Sequence, residues 1–253
     1  MSGPRIFVLN ANTTASITDL IARTARASAR PGTKIVSATA PFGPNYIQSR
    51  AEAAIAAHGV LTGLAQAKRP IDAAVIACFG EPGLFAAREL FDFPVVGMAE
   101  AAMLTACQLG RRFAILTAGA RWPAMLDDLI DDYGLRDRHA GTLALPVSGL
   151  QASRNRAAAV TALVRLARRA EAELGADVII LGGAGLAGLA PQLRTRCPLP
   201  VVDGLAAAIA QAEVLAHLAP SKARVGQFAK PSALGFVGID PALAKAFARY
   251  KQR

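Results

Sequence analysis

The chain has 253 residues, of which 53% are hydrophobic and 6% aromatic, and it carries a formal net charge of +10. This length allows one large domain or two small ones, and the Ala-, Leu-, Val- and Ile-rich composition is typical of helices packed on buried parallel sheets. Because the basic residues are scattered and not interleaved with aromatic ones, a basic surface that attracts small anions is favoured over a nucleic-acid platform.

Neither a membrane span nor a secreted disulfide framework is predicted. The longest apolar stretch, residues 178–190, falls short of the roughly 18 residues that a span requires, and the apolar run at 6–9 is too short for a signal peptide. The three cysteines, Cys78, Cys107 and Cys197, show neither a CxxC pair nor metal-ligand spacing. We therefore expect a cytoplasmic protein with free thiols and no metal site.

Short apolar runs alternate with long amphipathic segments, and this pattern predicts repeated βαβ units. Strands are predicted at Arg5–Asn10, Lys34–Ala38, Ala73–Ala77, Val95–Gly97, Arg112–Thr117, Gly141–Leu145, Asp177–Leu181 and Val201–Asp203. Helices are predicted near Ala15–Ala29, Ile47–Ala67, Pro82–Leu90, Glu100–Leu109, Pro123–Tyr133, Arg154–Leu174, Leu205–Leu218 and Pro241–Tyr250.

The first half of the chain resembles the second. Arg5–Asn10 aligns with Arg112–Thr117, the strand before Cys78 aligns with the strand before Gly183, and 93–97 aligns with 199–203, each at an offset of about 106 residues. Any parallel-sheet protein contains recurring Val/Ile-rich strands, but this does not explain a shared offset.

The repeat predicts an α/β fold with two similar lobes. Each lobe is expected to be a four-stranded parallel sheet flanked by helices, and a pseudo-twofold axis should relate the lobes with the active site between them. We assign residues 1–98 and 205–253 to the N-terminal lobe and 99–204 to the C-terminal lobe.

Ligands of open parallel sheets collect beyond the carboxyl ends of the strands. Four predicted strand ends lead into turns of small residues that feed helices, and backbone N–H groups in such turns suit a carboxylate, carbonyl or enolate oxygen; these turns are 10–14, 78–83, 117–121 and 182–188. The last one also matches GxGxxG, with Asp203 about 20 residues on. The repeat explains those glycines otherwise, so a dinucleotide site is disfavoured.

Cys78 is the candidate acid–base residue. A lone cysteine is often only a small core residue, but Cys78 ends a strand directly before a helix that begins with Pro82. Free N–H groups and the helix dipole at that position should favour the thiolate. By contrast, Cys107 is interpreted as a core residue and Cys197 as a surface or incidental one, and the three histidines form no recognisable nucleophilic triad.

Several of these motifs together resemble the aspartate/glutamate racemase superfamily, and they are most similar to its hydantoin and allantoin racemase branch. The likeness runs over nearly the whole chain, and the motif around Cys78 is the most specific part. The motifs are Asn10–Thr14, Ala77–Leu84, Pro94–Gly97 followed by Glu100, Ile115–Thr117 with Arg121 and Trp122, Pro200–Gly204, and the tail segment 228–231.

The resemblance implies a cofactor-free reaction at a carbon next to a carbonyl, in which two cysteines face each other across the substrate. One thiolate removes a proton and the other thiol returns one to the opposite face. The first cysteine of the family falls on Cys78, and the second falls on Gly183, which has no side chain.

Three hypotheses follow. The leading one is a racemase-type isomerase acting through an enolate on a hydantoin-, allantoin- or amino-acid-like substrate, with Cys78 as acid and base. The oxyanion of the enolate is expected to bind backbone N–H groups in the turns after the strands, including the turn that contains Gly183. The expected donors are the N–H groups of Phe79, Gly80, Ala118, Gly119, Ala184 and Gly185, and Asn10 and Thr117 should add side-chain contacts.

The second hypothesis starts from single-cysteine members of the superfamily, the arylmalonate decarboxylases, which lose carbon dioxide and protonate the enediolate from one side. Their cysteine resembles the second position, so Cys78 would be the mirror arrangement.

The third hypothesis is a non-catalytic protein that binds a small anion in the cleft. In each case the partner is a small carboxylate or hydantoin-like molecule, and alanine-rich helices such as Glu100–Leu109 are compatible with a homo-oligomer.

Overall fold

The computed structural model describes residues 3–68, 70–232 and 235–248, and in it the eight predicted strands form two separate parallel sheets. The strands are β1 (Arg5–Asn10), β2 (Lys34–Thr39), β3 (Ala73–Ile76), β4 (Val95–Gly97), β5 (Phe113–Ala118), β6 (His139–Leu145), β7 (Val178–Leu181) and β8 (Val201–Asp203). Their order is β2-β1-β3-β4 in one sheet and β6-β5-β7-β8 in the other.

The predicted fold is confirmed, because two four-stranded parallel sheets with the same strand order are flanked by helices. Within the described ranges the helices are α1 (Ala15–Ser28), α2 (Arg50–Gln66), α3 (Leu84–Leu90), α4 (Met98–Leu109), α5 (Trp122–Asp132), α6 (Gly149–Arg154), α7 (Arg156–Leu174), α8 (Ala190–Arg194), α9 (Gly204–Leu218) and α10 (Pro241–Ala248). None of them is both long enough and apolar enough to cross a membrane.

The helix predicted at Arg154–Leu174 is in fact the second of two. Asn155 interrupts the helical path with a φ of −123° and a ψ of 70°, and its side chain caps α7 by accepting the N–H of Ala158. Ahead of it, α6 begins with a capping box between Ser148 and Gln151. The predicted last helix reached Tyr250, and residues 249–250 lie outside the described ranges.

The internal repeat extends to individual hydrogen bonds at the amino end of each sheet. The Asp72 carboxylate accepts the N–H of Arg5 at 2.7 Å, and the Asp177 carboxylate accepts the N–H of Arg112 at 2.8 Å. Both aspartates precede the third strand of their half, and both bind the start of the first strand. In each half, therefore, a hydrogen bond from a backbone N–H to an aspartate carboxylate links the start of the first strand to the start of the third.

The two halves share one hydrophobic core. Along β5, Phe113 and Ile115 belong to a large buried cluster that includes the first sheet and the helices between the halves. Ala114 and Leu116 point to the other face, into a smaller cluster beneath α7 and α8. Both faces of the second sheet are therefore buried, as expected for a parallel sheet. The domain division at residues 98 and 205 stays a prediction.

The carboxylate at Asp177 should stabilise the fold measurably. Asp177→Ala removes the acceptor of two backbone N–H groups, those of Arg111 and Arg112. We expect a loss of about 1–2 kcal/mol in the free energy of unfolding, because two hydrogen bonds are lost at an exposed site and each contributes about 0.5–1 kcal/mol net. Urea unfolding measures the difference. Asp137→Ala, at an exposed carboxylate in the 136–138 turn, is the matched control, and an equal effect of both changes would contradict the assignment.

Candidate active site

A cavity opens between the halves, where the carboxyl ends of the two sheets face each other. Its volume is about 30 Å³, which accommodates only one or two water molecules. Binding of any organic substrate must therefore widen it. The first half lines it with Asn12, Tyr46, Ile47, Ala77, Cys78 and Phe79, and the second half with Thr117, Ala118, Trp122, Gly149 and Gly182–Leu186.

Cys78 lies directly after β3 and borders this cavity with only 8% of its surface exposed. Burial raises the pKa of its thiol to about 11, although the backbone N–H groups of Gly80 and Glu81 act in the opposite direction. The expectation that the helix dipole favours a thiolate is therefore wrong for this conformation. The helix α3 begins only at Leu84, and desolvation outweighs the N–H contacts.

The buried side chain of Glu81 fixes the turn that carries Cys78. Its carboxylate accepts the N–H groups of Ala99 and Glu100 in the first turn of α4, and it accepts the hydroxyl of Tyr133. Burial raises the pKa of Glu81 to about 7 in spite of these hydrogen bonds. Glu81 itself has a φ of +48°, a left-handed conformation that is strained for a residue with a side chain.

An aromatic side chain from the second half covers the Cys78 turn. A Cβ at Gly80 would lie 2.8 Å from the Trp122 ring, so only glycine allows this stacking. Gly119, with a φ of +102°, turns the chain towards the same ring, and its N–H donates to the carbonyl of Leu145. The glycines at 80 and 119 thus make room for Trp122, and the N–H of Gly119 has an internal acceptor.

Asn10 does not reach the cavity but positions a neighbour that does. Asn10 is fully buried, and its Nδ2 donates to Asn12 Oδ1, to the carbonyl of Thr14 and to the hydroxyl of Thr18. Asn12 Oδ1 also accepts the N–H of Thr14. With its oxygen fixed by two donors, Asn12 presents its Nδ2 group to the cavity that it lines.

The second half contributes a wall of backbone rather than side chains. The 3₁₀ turn at Ala184–Leu186 makes its first internal hydrogen bond from the N–H of Leu186 to the carbonyl of Gly183. The preceding N–H groups, on Ala184 and Gly185, are therefore available to an oxyanion. Thr117 adds a hydroxyl, and its Oγ1 lies 3.9 Å from the point that a Cβ on Gly183 would occupy.

Gly183 combines open space with an unfavourable backbone conformation. A Cβ there would meet no atom closer than Thr117 Oγ1, but the φ of +130° is one that residues with side chains rarely adopt. A cysteine at this position would therefore strain the turn unless the backbone changes.

Tyr46 comes from the loop between β2 and α2 and was not among the residues predicted for the site. Its hydroxyl packs against Gly149, where a Cβ would collide with it. Burial, and to a lesser extent the neighbouring Cys78, raise the pKa of the phenol above its usual value. The only sequence signal was the Pro44–Ile47 segment before the Ser49 helix cap, which predicts a loop but not where its side chains point.

Of the predicted site residues, seven line the cavity and three do not. Asn10, Gly80 and Gly119 lie behind it, where they position Asn12 and Trp122. The residues brought together at the cavity are Cys78, Phe79, Thr117, Ala118, Gly183, Ala184 and Gly185. Eight further lining residues were missed as site residues, because loop conformation and contact across the halves place most of them there: Asn12, Tyr46, Ile47, Ala77, Trp122, Gly149, Gly182 and Leu186.

The chain is similar to known racemases both in sequence and in structure. The family model for Asp/Glu/hydantoin racemases matches residues 6–212. A hydantoin racemase of Pseudomonas sp. (strain NS671) is 35% identical over 235 residues, covering 92% of this chain and 94% of the relative. The crystal structure of an allantoin racemase from Pseudomonas fluorescens superposes with a TM-score of 0.89 at 39% identity, covering 92% of this chain and all of that one.

More distant structures share the fold alone. An arylmalonate decarboxylase superposes with a TM-score of 0.59 at 19% identity, covering 98% of this chain and 100% of that one.

The buried thiol should titrate at high pH. Because burial raises the pKa of Cys78 to about 11, its alkylation by iodoacetamide should increase about tenfold per pH unit from pH 7 to 9.5, without a plateau. Peptide mass spectrometry of the Cys78 fragment measures the rate, and the partly exposed Cys107 serves as an internal reference. A plateau near neutral pH would show instead that the site stabilises the thiolate.

The carboxyl of Glu81 should make stability depend on pH. Its pKa rises from 4.5 to about 7 on folding, so the folded state keeps a proton that the unfolded state releases. Its contribution is fully present below pH 4.5 and is lost as pH rises through 7, a change of about 3 kcal/mol. Glu81→Gln, which keeps an acceptor oxygen for α4, should remove this part of the pH dependence.

Urea unfolding at pH 5, 6, 7 and 8 measures the effect of Glu81→Gln. Glu171→Gln, at an exposed position of α7, is the control. Parallel pH profiles of the natural protein and Glu81→Gln would contradict the assignment.

Proposed function

The chain belongs to the Asp/Glu/hydantoin racemase family and is an isomerase, and we propose that it inverts a carbon next to a carbonyl through an enolate, with Cys78 as the acid–base residue. The observation that carries this proposal is the position of Cys78. Its turn borders the cavity between the halves, and Ala184 and Gly185 line the same cavity. Racemisation of this kind requires no cofactor.

The reaction begins with the Cys78 thiolate, which removes the proton from the α-carbon. The electron pair of the C–H bond moves onto the carbonyl oxygen, and the negative charge there is stabilised by N–H donors. Ala184 and Gly185 supply backbone donors and Asn12 a side-chain amide. Such preorganised donors act most strongly where the bound substrate excludes water.

A hydantoin-type ring is the substrate that we infer. The hydantoin and allantoin racemases among the similar proteins support this choice. The surface hollow beside Trp122 also supports it, because it is lined by polar side chains, including Gln48, Ser49 and Arg121. A substituent on the ring that extends past Trp122 would meet these groups, so polar substituents are favoured over large apolar ones.

One observation favours a second candidate function. At the position where the family has its second thiol, Gly183 has no side chain, so Cys78 is the one thiol among the described residues that line the cavity. One-sided protonation of an enediolate after loss of carbon dioxide needs only one such group. A disubstituted malonate would then release carbon dioxide, and the product would have a single configuration.

Replacement of the thiol tests the proposal. In deuterated buffer, the natural protein should exchange the α-proton of a 5-substituted hydantoin, followed by ¹H NMR. Cys78→Ser should reduce this exchange at least 100-fold, because a hydroxyl is a far weaker acid than a thiol and general acid–base catalysis contributes about that much. Cys107→Ser, in α4 and outside the cavity, is the matched control and should retain full activity.

Two results would overturn the proposal. One is exchange at the natural rate in Cys78→Ser. The other is absence of exchange in the natural protein with hydantoins, allantoin and acidic amino acids alike, while a disubstituted malonate is decarboxylated.

A further inference from the structure

Inversion of a carbon centre needs a proton carrier on each face, and Cys78 supplies only one. Four other lining side chains in the described part of the cavity carry an N–H or O–H: Asn12, Tyr46, Thr117 and Trp122. Amide, indole and aliphatic hydroxyl protons are far less acidic than a phenol. Tyr46 is therefore the strongest acid on the cavity wall after the thiol.

The hydroxyl of Tyr46 contacts the wall that the second half contributes to the cavity, whereas Cys78 borders the cavity from the first half. Although Tyr46 belongs to the first half, its hydroxyl contacts Gly149 of α6. Gly149 packs in turn on Gly185, where a Cβ would lie within 2.6 Å of the Gly149 backbone. The phenol is thus placed against the wall that contains Gly183, the position without a thiol.

Glycine at positions 149 and 185 leaves the space that the Tyr46 hydroxyl occupies. A side chain at Gly149 would displace the hydroxyl, and a side chain at Gly185 would push Gly149 away. No described residue accepts a hydrogen bond from this hydroxyl in the structure, whereas the hydroxyl of Tyr133 is bonded to Glu81. The Tyr46 proton is therefore available to a molecule in the cavity.

We propose that Tyr46 is a catalytic residue that exchanges protons with the substrate on the face opposite Cys78. This inference rests on the proposed function. The Cys78 thiolate takes the α-proton of one enantiomer, and the electron pair moves to the carbonyl oxygen. As the enolate collapses, the electron pair returns to the α-carbon and forms a bond with the Tyr46 proton. The products are the opposite enantiomer, a Cys78 thiol and a Tyr46 phenolate.

The enzyme is reset by one proton transfer. The proton passes from the Cys78 thiol to the Tyr46 phenolate, directly or through water, and restores the thiolate and the phenol. The transfer is favourable because a phenol is a weaker acid than a thiol. The opposite enantiomer reacts by the same steps in reverse, starting from the phenolate form.

Tyr46→Phe separates the two faces, because it removes only the hydroxyl and keeps the ring. Single enantiomers of 5-methylhydantoin in deuterated buffer report two rates, with the uncatalysed exchange subtracted. Circular dichroism follows inversion, and ¹H NMR of the remaining enantiomer follows exchange with retention. We expect inversion to fall at least 100-fold. Exchange with retention should persist within about threefold for the enantiomer whose α-proton faces Cys78.

Gly149→Ala is the second variant, and it keeps the phenol but displaces its hydroxyl. It should show the same split, with inversion lost and one-sided exchange kept. It also tests the proposal if Tyr46→Phe does not fold. Cys78→Ser should lose exchange for the enantiomer that keeps it in Tyr46→Phe.

The outcomes distinguish this inference from the proposed function. Natural inversion rates in Tyr46→Phe, or loss of inversion and exchange together in a folded Tyr46→Phe, would overturn the role of Tyr46 and leave Cys78 as the acid–base residue. Absence of exchange and inversion in the natural protein would overturn the proposed function itself.

Discussion

Parallel pairing of the strands is the constraint on which the site depends. Because all four strands of a sheet run in one direction, their carboxyl ends share one edge, and the edges of the two sheets face each other. Cys78 follows β3, Thr117 lies near the end of β5, and Gly183 follows β7. Residues that are distant in sequence therefore meet in one cavity, and a slip in either sheet would separate them.

In each half, the helix after the fourth strand needs a hydrogen-bond acceptor at its N-terminus, and the two halves supply this acceptor from different positions. Each of these helices has a buried carboxylate at its N-terminus, where unpaired N–H groups need an acceptor. In the second half Asp203, at the end of β8, caps α9 itself. In the first half the corresponding position is Gly97, and the carboxylate comes from Glu81. A Cβ at Gly97 would collide with that side chain.

This exchange of the capping residue makes the halves chemically different. Glu81 ties the Cys78 turn to α4 at the cost of a left-handed backbone conformation, so the first half presents a fixed thiol. In the second half Asp203 accepts the N–H of Gly188 and so also ties its turn to α9, but that turn presents a wall of glycine and backbone N–H groups. Burial raises the pKa of Cys78, Tyr46 and Glu81 alike, because desolvation disfavours the charged form of each group.

The amino-acid sequence was sufficient to predict the fold class, the eight strands, the repeat and the position of Cys78 at the end of a strand. Apolar periodicity and the common offset between the two halves are visible in the order of residues along the chain, so they can be recognised without coordinates. Capping details such as Asn155, which divides the predicted helix, depend on a single side chain and escape the periodic pattern.

The choice of polar groups that face the cavity, and the effect of burial on them, depend on the tertiary structure. Asn10 and Asn12 are two positions apart on the same loop, but the hydrogen bonds of Asn10 are satisfied internally and Asn12 lines the cavity. The loop between β2 and α2 brings the Tyr46 hydroxyl against Gly149 of the other half, and Trp122 of that half covers Gly80 in the Cys78 turn. Contacts and solvent exclusion of this kind arise between segments remote in sequence, and no local pattern encodes them.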